Sequence, residues 1–160
     1  MADPAVHCLI LPFQGGQLLV PGAVVAEILP FATLQPAAPG PSSLPAWYLG
    51  TFQWQGRPRD LVGLEPLMGQ GLPVLERRLR VAVLHTLDGR PEPGAFGVVM
   101  QRIPRQLTVG PETPLTEEPG DEAAVAGWLR GREEVYALPD IDWLRDALAG
   151  FHAEVRASAP

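Results

Sequence analysis

The chain has 160 residues and a net charge of −6, and its twelve basic residues are all Arg. This length fits one domain or one pair of fused subdomains, and 46% hydrophobic with 19% charged residues is typical of a folded globular protein. The arginines are scattered, apart from the group Arg77, Arg78 and Arg80, which disfavours nucleic-acid binding because that function needs a basic face.

Turn-forming residues divide the chain into short segments. The 19 prolines and 17 glycines leave few uninterrupted windows, so short strands joined by turns are favoured over long helices. In chain order the patterns predict strands at residues 8–13, 17–20, 48–54, 59–64, 79–87, 95–103 and 105–109, and two more between 124 and 141. Residues 23–31 read as one helical turn followed by a strand, and 64–69 as a helical turn.

The remaining segments are predicted to be loops or the C-terminal helix. Loops are expected at 35–45, which is Pro-rich, at 70–78, at 88–94 and at the acidic segment 110–122. Residues 140–151 predict a helix capped by Asp140 or Asp142. Its apolar face comprises Ile141, Leu144, Ala147, Leu148 and Phe151. We therefore expect a structured domain over residues 7–150 and a frayed tail over 151–160.

The strand patterns also predict the fold class and part of the core. Nine or ten short strands with one terminal helix indicate an all-β sandwich or a pair of small barrels. The most regular strands place five residues in one shared core: Leu61, Val62, Val81, Val83 and Val98.

No arrangement of residues predicts catalysis, a cofactor or a metal. His7, His85 and His152 have no metal-ligand spacing to one another, and the absence of Lys excludes Schiff-base chemistry and a P-loop lysine. Cys8 and His7 are neighbours on a predicted strand, where adjacent side chains point to opposite faces. A small hydrolase built on these two residues is the enzymatic alternative; otherwise Cys8 is a buried, inert thiol.

The N-terminal region and the single cysteine suggest a location. One cysteine excludes an intramolecular disulfide, and the apolar run of residues 8–11 is too short for a signal peptide or a membrane span. We therefore expect a cytoplasmic protein.

Aromatic residues are concentrated between Trp47 and Trp54. The run contains Trp47, Tyr48, Phe52 and Trp54, and Phe52 and Trp54 share one face of a strand. One interpretation is a core face. In the other, Trp47, Phe52 and Trp54 are anchors of a protein–protein interface, because large aromatic side chains often dominate binding energy.

The order of segments over residues 7–148 resembles the CheW-like domain, the adaptor module of bacterial chemosensory arrays. The resembling segments are "LILPFQGGQLLVPG" (9–22), Val25-Ala26-Glu27-Ile28, Gly50 to Gly56, Arg57 to Leu64, Gly97 to Ile103 and Pro139 to Leu144. The chain departs from the family pattern at Gln53, Trp54, Gln55, Asp60, Gly63 and Gln101, where that pattern has Asn, Leu, Arg, Pro, Asp and Asp. These departures make it similar to a divergent branch, the accessory proteins of type IV pilus (twitching) systems such as ChpC or PilI.

The resemblance implies a fold, a function and partners. It implies two intertwined five-stranded SH3-like barrels, no catalysis and no cofactor. It implies binding to the regulatory domain of a CheA-type histidine kinase and to the cytoplasmic tip of a chemoreceptor, the latter in a groove that includes Val25, Glu27, Gly50 and Gln55. Because Gln55 replaces an Arg, the groove is expected to be more negative than the family norm. The alternative is a CheW-fold module that has lost kinase or receptor coupling and binds another partner.

Overall fold

The computed structural model describes residues 5–30, 34–36, 45–71, 78–85, 94–118, 120 and 122–158. Within these residues the strands are β1 (Val6–Phe13), β2 (Gly16–Pro21), β3 (Val25–Pro30), β4 (Leu34–Pro36), β5 (Tyr48–Trp54), β6 (Arg57–Val62), β7 (Arg80–His85), β8 (Ala95–Met100), β9 (Arg105–Val109), β10 (Thr116–Glu118), β11 (Val125–Arg130) and β12 (Val135–Pro139). The helices are α1 (Leu64–Leu67) and α2 (Ile141–Ser158), and Gly22–Val24 forms a 3-10 turn.

The strands form two sheets that divide the chain into its ends and its middle. The terminal sheet has the order β10-β11-β12-β2-β1-β9, and the central sheet has the order β3-β7-β8-β6-β5-β4. Neighbouring strands are antiparallel except for β12 with β2 and β6 with β8, which are parallel. The central sheet, β3 to β8, is one continuous stretch of the chain inserted between β2 and β9, so only the terminal sheet is formed from two separate stretches.

The all-β prediction of two fused small barrels is confirmed, with a difference in strand number. Each sheet of the described residues has six strands, not five. The additional strands are β4 and β10, each three residues long and each at a sheet edge. The loops predicted at 35–45 and 110–122 are therefore wrong where these strands lie, because edge pairing was not visible in the local pattern. Residues 37–44, 72–77 and 88–93, where loops or turns were also predicted, lie outside the described residues, as do residues 86 and 87 at the end of the strand predicted over 79–87.

Buried side chains form three clusters. The central core lies inside the central sheet and contains Phe52, Leu61, Leu79, Val81, Val83, Ala95 and Val99. The terminal core lies inside the terminal sheet and contains Cys8, Ile10, Leu19 and Tyr136. The shared core joins both sheets and α2, and includes Leu11, Leu18, Val62, Leu84, Val98, Leu144 and Leu148.

The strand β7 shows how one sequence supplies two of these clusters. Its residues from Val81 to Leu84 are completely buried, and the side chains alternate between the two faces of the sheet. Val81 and Val83 enter the central core, whereas Ala82 and Leu84 enter the shared core. The five predicted core residues are all buried, but the prediction of one core is wrong: Val62 and Val98 belong to the shared core and the others to the central core.

The helix α2 begins as predicted and ends later. The carboxylate of Asp140 accepts a hydrogen bond of 2.9 Å from the backbone N–H of Trp143, as expected of an N-cap. Leu144, Leu148 and Phe151 are buried. The helix continues to Ser158, so a frayed tail beginning at residue 151 is wrong; the chain stays helical where Phe151 packs on the protein. None of the described helices is long and apolar enough to cross a membrane.

Candidate partner-binding groove

The four predicted groove residues lie on the central sheet. Val25 and Glu27 are on the edge strand β3, Gly50 is on β5, and Gln55 is in the turn between β5 and β6. Val25 is half-buried and packs against the shared core, whereas Glu27 and Gln55 are exposed. Three strands separate β3 from β5 in the sheet order, so these residues can meet only where the sheet curls on itself.

A hydrogen bond between Trp54 and Glu27 joins β3 to β5. The indole Nε1–H of Trp54 donates to the Glu27 carboxylate at 2.8 Å. The Arg59 guanidinium lies 5.8 Å from the centre of the Trp54 ring, within the range of a cation–π contact. Trp54, another departure from the family pattern, thus gives the Glu27 carboxylate a neutral hydrogen-bond donor, and the sequence did not predict this contact.

The turn beside this contact has unusual backbone geometry. Gln55 and Gly56 have φ values of 51° and 76°, and Trp54 pairs with Arg57 across them. Positive φ at both central residues is typical of a type I′ turn, which matches the twist of a hairpin. Gly56 is favoured there because it has no Cβ. Gly50 has φ of 119° next to a register shift, so a side chain at position 50 would be strained.

The three predicted interface anchors have different surroundings. Phe52 has 0% exposure in the central core, so its prediction as an anchor is wrong and the core-face interpretation holds for it. Trp47 is half-buried against the shared core, with its ring centre 6.4 Å from that of Phe151. Trp54 packs partly against the central core while its indole N–H faces Glu27. Of the three, Trp54 is the one placed beside the predicted groove.

A partly buried polar cluster that the sequence did not predict links α2 to the central sheet. The Tyr48 hydroxyl donates to Asp60 Oδ1 at 2.9 Å, and His152 Nε2 lies 2.9 Å from Asp60 Oδ2. Burial, and then the charge of Asp60 and the hydrogen bond to it, raise the pKa of Tyr48 far above its ordinary value, so Tyr48 remains a neutral donor. Asp60 and His152 are 92 positions apart, and no local pattern connects them.

The arrangement around Cys8 does not form a nucleophile. Burial raises the pKa of the Cys8 thiol, which keeps it protonated near neutral pH. The Cys8 sulfur lies 3.8 Å from the carbonyl oxygen of Val6, while His7 Nδ1 lies 3.2 Å from Thr108 Oγ1. The His7 ring is thus engaged on another strand. In the described part of the chain, no group of three or more His, Cys, Asp or Glu residues is placed to hold a metal ion.

Comparisons with known proteins identify the fold. No family model matches the chain, and no curated protein matches its sequence. The structure is similar to the crystal structure of the scaffolding protein TtCheW from Thermoanaerobacter tengcongensis, with a TM-score of 0.68 and 12% sequence identity. The match covers 87% of this chain and 86% of the other. At this identity the similarity establishes the architecture, and the two sheets described above therefore form the CheW fold.

Proposed function

We propose that this protein is a CheW-like adaptor in bacterial chemosensory signalling. It couples the cytoplasmic tip of a chemoreceptor to the regulatory domain of a CheA-type histidine kinase. The observation that carries the proposal is the CheW fold, which extends over 87% of the chain. As a divergent member of this kind, it acts in the cytoplasm in a type IV pilus system that controls twitching motility.

Receptor binding is proposed at the groove formed by Val25, Glu27, Gly50 and Gln55. Val25 offers a partly buried apolar surface and Glu27 an exposed carboxylate, whose position is held by Trp54. An interface of standard size would bury roughly 1,200–2,000 Å² in total. In the groove, Trp54 and Glu27 together form a preorganised acidic edge, since the indole hydrogen bond restricts the carboxylate before a partner arrives.

A second candidate function is a CheW-fold module for a different partner. The observation that favours it is the placement of two residues that depart from the family pattern. Asp60 is directed inward to Tyr48 and His152, and Gln55 brings no charge to the groove. A groove altered at these positions could serve a partner other than a receptor tip, with kinase or receptor coupling lost.

Calorimetry with purified partners distinguishes the two functions. The protein is titrated with the regulatory domain of the CheA-type kinase and with a receptor-tip fragment from the same organism. The adaptor function predicts micromolar binding of both. Absence of heat with both partners at high protein concentration would contradict it and favour the second function.

Matched tryptophan variants test the groove itself. Trp54→Phe removes the N–H that binds Glu27 and keeps most of the aromatic surface. Trp128→Phe is the control, because Trp128 donates a similar hydrogen bond of 3.0 Å to Glu122 outside the groove. We expect Trp54→Phe to weaken receptor-tip binding roughly fivefold, which corresponds to about 1 kcal/mol, the net contribution of a typical hydrogen bond, and Trp128→Phe to leave it unchanged. Equal effects of both variants would place the receptor elsewhere.

A further inference from the structure

A large cleft lies between the tip of the β1–β2 hairpin and the connection from β8 to β9. Its volume is about 1200 Å³. Four arginines line it, Arg78, Arg80, Arg102 and Arg105, and we call it the arginine cleft. One carboxylate, that of Glu134, is among the lining groups. The concentration of positive charge contrasts with the net charge of −6 of the whole chain.

The arginines of the cleft are only partly neutralised by the protein. Arg105 donates hydrogen bonds to Glu134 Oε1 at 2.8 Å and to Gln17 Oε1 at 2.9 Å. Arg80 donates to the backbone carbonyls of Arg78 and Leu79, which carry no net charge. Among the described residues, no carboxylate forms an ion pair with Arg80 or Arg102. Two guanidinium groups therefore keep their charge available for a ligand.

The cleft also has an apolar and a neutral polar element. Ile103, adjacent to Arg102, is 71% exposed and is one of two large hydrophobic side chains that stand out in this way among the described residues. The amide nitrogen of Gln101 has no hydrogen-bond acceptor among the described residues. An unpaired donor is costly when buried, and a ligand oxygen that reached it would relieve that cost.

We propose that the arginine cleft binds an acidic segment of a partner protein. Carboxylates of the segment contact Arg80 and Arg102, and an apolar side chain of the same segment covers Ile103. A peptide fits these features better than a nucleic acid does. The single aromatic lining residue, Phe13, is buried and offers no surface for base stacking, whereas the exposed Ile103 can be covered by an apolar side chain of a peptide. This surface is separate from the groove around Glu27 and does not depend on the adaptor function.

In this cleft, the carboxylate of Glu134 competes with a ligand carboxylate for Arg105. Its carboxylate already occupies Arg105 and receives a hydrogen bond of 2.8 Å from the Tyr136 hydroxyl. An incoming carboxylate must either avoid Glu134 or replace it at Arg105. Removing the charge of Glu134 therefore strengthens binding, whereas reversing the charge of Arg102 weakens it.

Fluorescence anisotropy with the full chain tests the proposal, because substitutions of Glu134 and Arg102 should change the binding affinity in opposite directions. The probe is a labelled peptide of alternating Glu, Asp and Leu, and the comparison peptide has Gln and Asn in place of the acids. We expect Arg102→Glu to weaken binding about tenfold, Glu134→Gln to strengthen it about threefold and Ile103→Ser to weaken it about threefold, in the range of charge and contact changes at an interface rim. Added salt should weaken binding of the wild type.

Arg57→Glu is the matched control, because Arg57 is exposed on the central sheet outside the cleft. Circular dichroism verifies that each variant is folded. Equal weakening by Arg57→Glu and Arg102→Glu, equal binding of the neutral peptide, or no binding at millimolar peptide would overturn the proposal. Tighter binding of a single-stranded oligonucleotide of the same charge would also overturn it, in favour of nucleic acid.

Discussion

The two sheets differ in how completely they exclude water from their interiors. Among the residues that the structure describes, the central core has seven buried members, with Phe52, Val81, Val83 and Val99 at 0% exposure. The terminal core has four, of which Cys8 and Tyr136 keep 8% and 7%, and half-buried leucines such as Leu129 complete it. Because stabilisation follows the apolar area removed from water, the central sheet should carry more of the folding free energy. The terminal sheet has a thinner interior and supplies Arg105 and Glu134 to the arginine cleft.

The largest expected effect is that of a charge inside the central core. Val83→Asp would place an unpaired carboxylate at a position with no solvent access, and we expect a loss of more than about 4 kcal/mol, enough to unfold the domain. Val6→Asp is the control, since Val6 is 47% exposed on the terminal sheet. Urea denaturation followed by tryptophan fluorescence measures both. A normal transition for Val83→Asp would show that the described strand register is incorrect.

A smaller effect is expected where α2 joins the terminal sheet to the central one. This helix follows β12 of the terminal sheet in sequence, yet the Phe151 ring lies 4.3 Å from that of Tyr48 on the central sheet. Phe151→Ala removes this contact and should cost about 3 kcal/mol in unfolding free energy.

The exposed substitution Ala153→Ser on the same helix is the control for Phe151→Ala. If both variants melt at the wild-type temperature, the last turns of α2 do not contribute to the fold.

Substitution of one glycine in a strand of each sheet allows a direct comparison of how tightly the two sheets are packed. A Cβ at Gly97 would lie 2.6 Å from Phe52 and 2.7 Å from Val81 in the central core. At Gly127 in the terminal sheet, the nearest atom would be that of Leu138 at 3.7 Å. Gly97→Ala should therefore destabilise by about 1–3 kcal/mol through overpacking, and Gly127→Ala should be neutral or slightly stabilising. Equal midpoints of denaturation for the two variants would contradict the difference in packing.

The structural features that the sequence predicted correctly are those that depend on local patterns. Alternation and turn residues placed strands such as β5 and β6 within a few residues, and the Asp140 cap placed the start of α2. The two edge strands were missed because each is only three residues long and depends on pairing with a distant partner. Periodicity identified Val81 and Val83 as buried but could not separate the two clusters, since both faces of β7 are covered.

The candidate sites were predicted less completely than the fold. The groove residues came from a resemblance, and the structure adds the Trp54–Glu27 hydrogen bond, which requires the sheet to curl. The cluster of Tyr48, Asp60 and His152 and the arginine cleft each combine residues far apart in the chain. Their formation depends on tertiary packing, which cannot be inferred from the composition of the sequence or from the spacing of its residues.

The smallest expected effect concerns acid stability of the terminal sheet. Hydrogen bonds from Gln17, Tyr136 and Arg105 lower the pKa of Glu134 below its ordinary value of 4.5. The unfolded carboxyl therefore binds a proton at a higher pH than the folded one. The stabilisation is complete above about pH 4.5 and is lost as the pH falls through the folded pKa. Because Arg105 and Glu134 are 57% and 31% exposed, the contribution should stay below about 1 kcal/mol.

Urea midpoints at several pH values between about 6 and 3 measure the contribution of Glu134 to stability. Glu134→Gln should be less stable than the wild type near neutral pH, and the two curves should converge in acid. The exposed Glu112→Gln variant should follow the wild type throughout. If the gap between Glu134→Gln and the wild type instead remained constant with pH, its cause would be packing, and the carboxylate of the terminal sheet would have no part in acid unfolding.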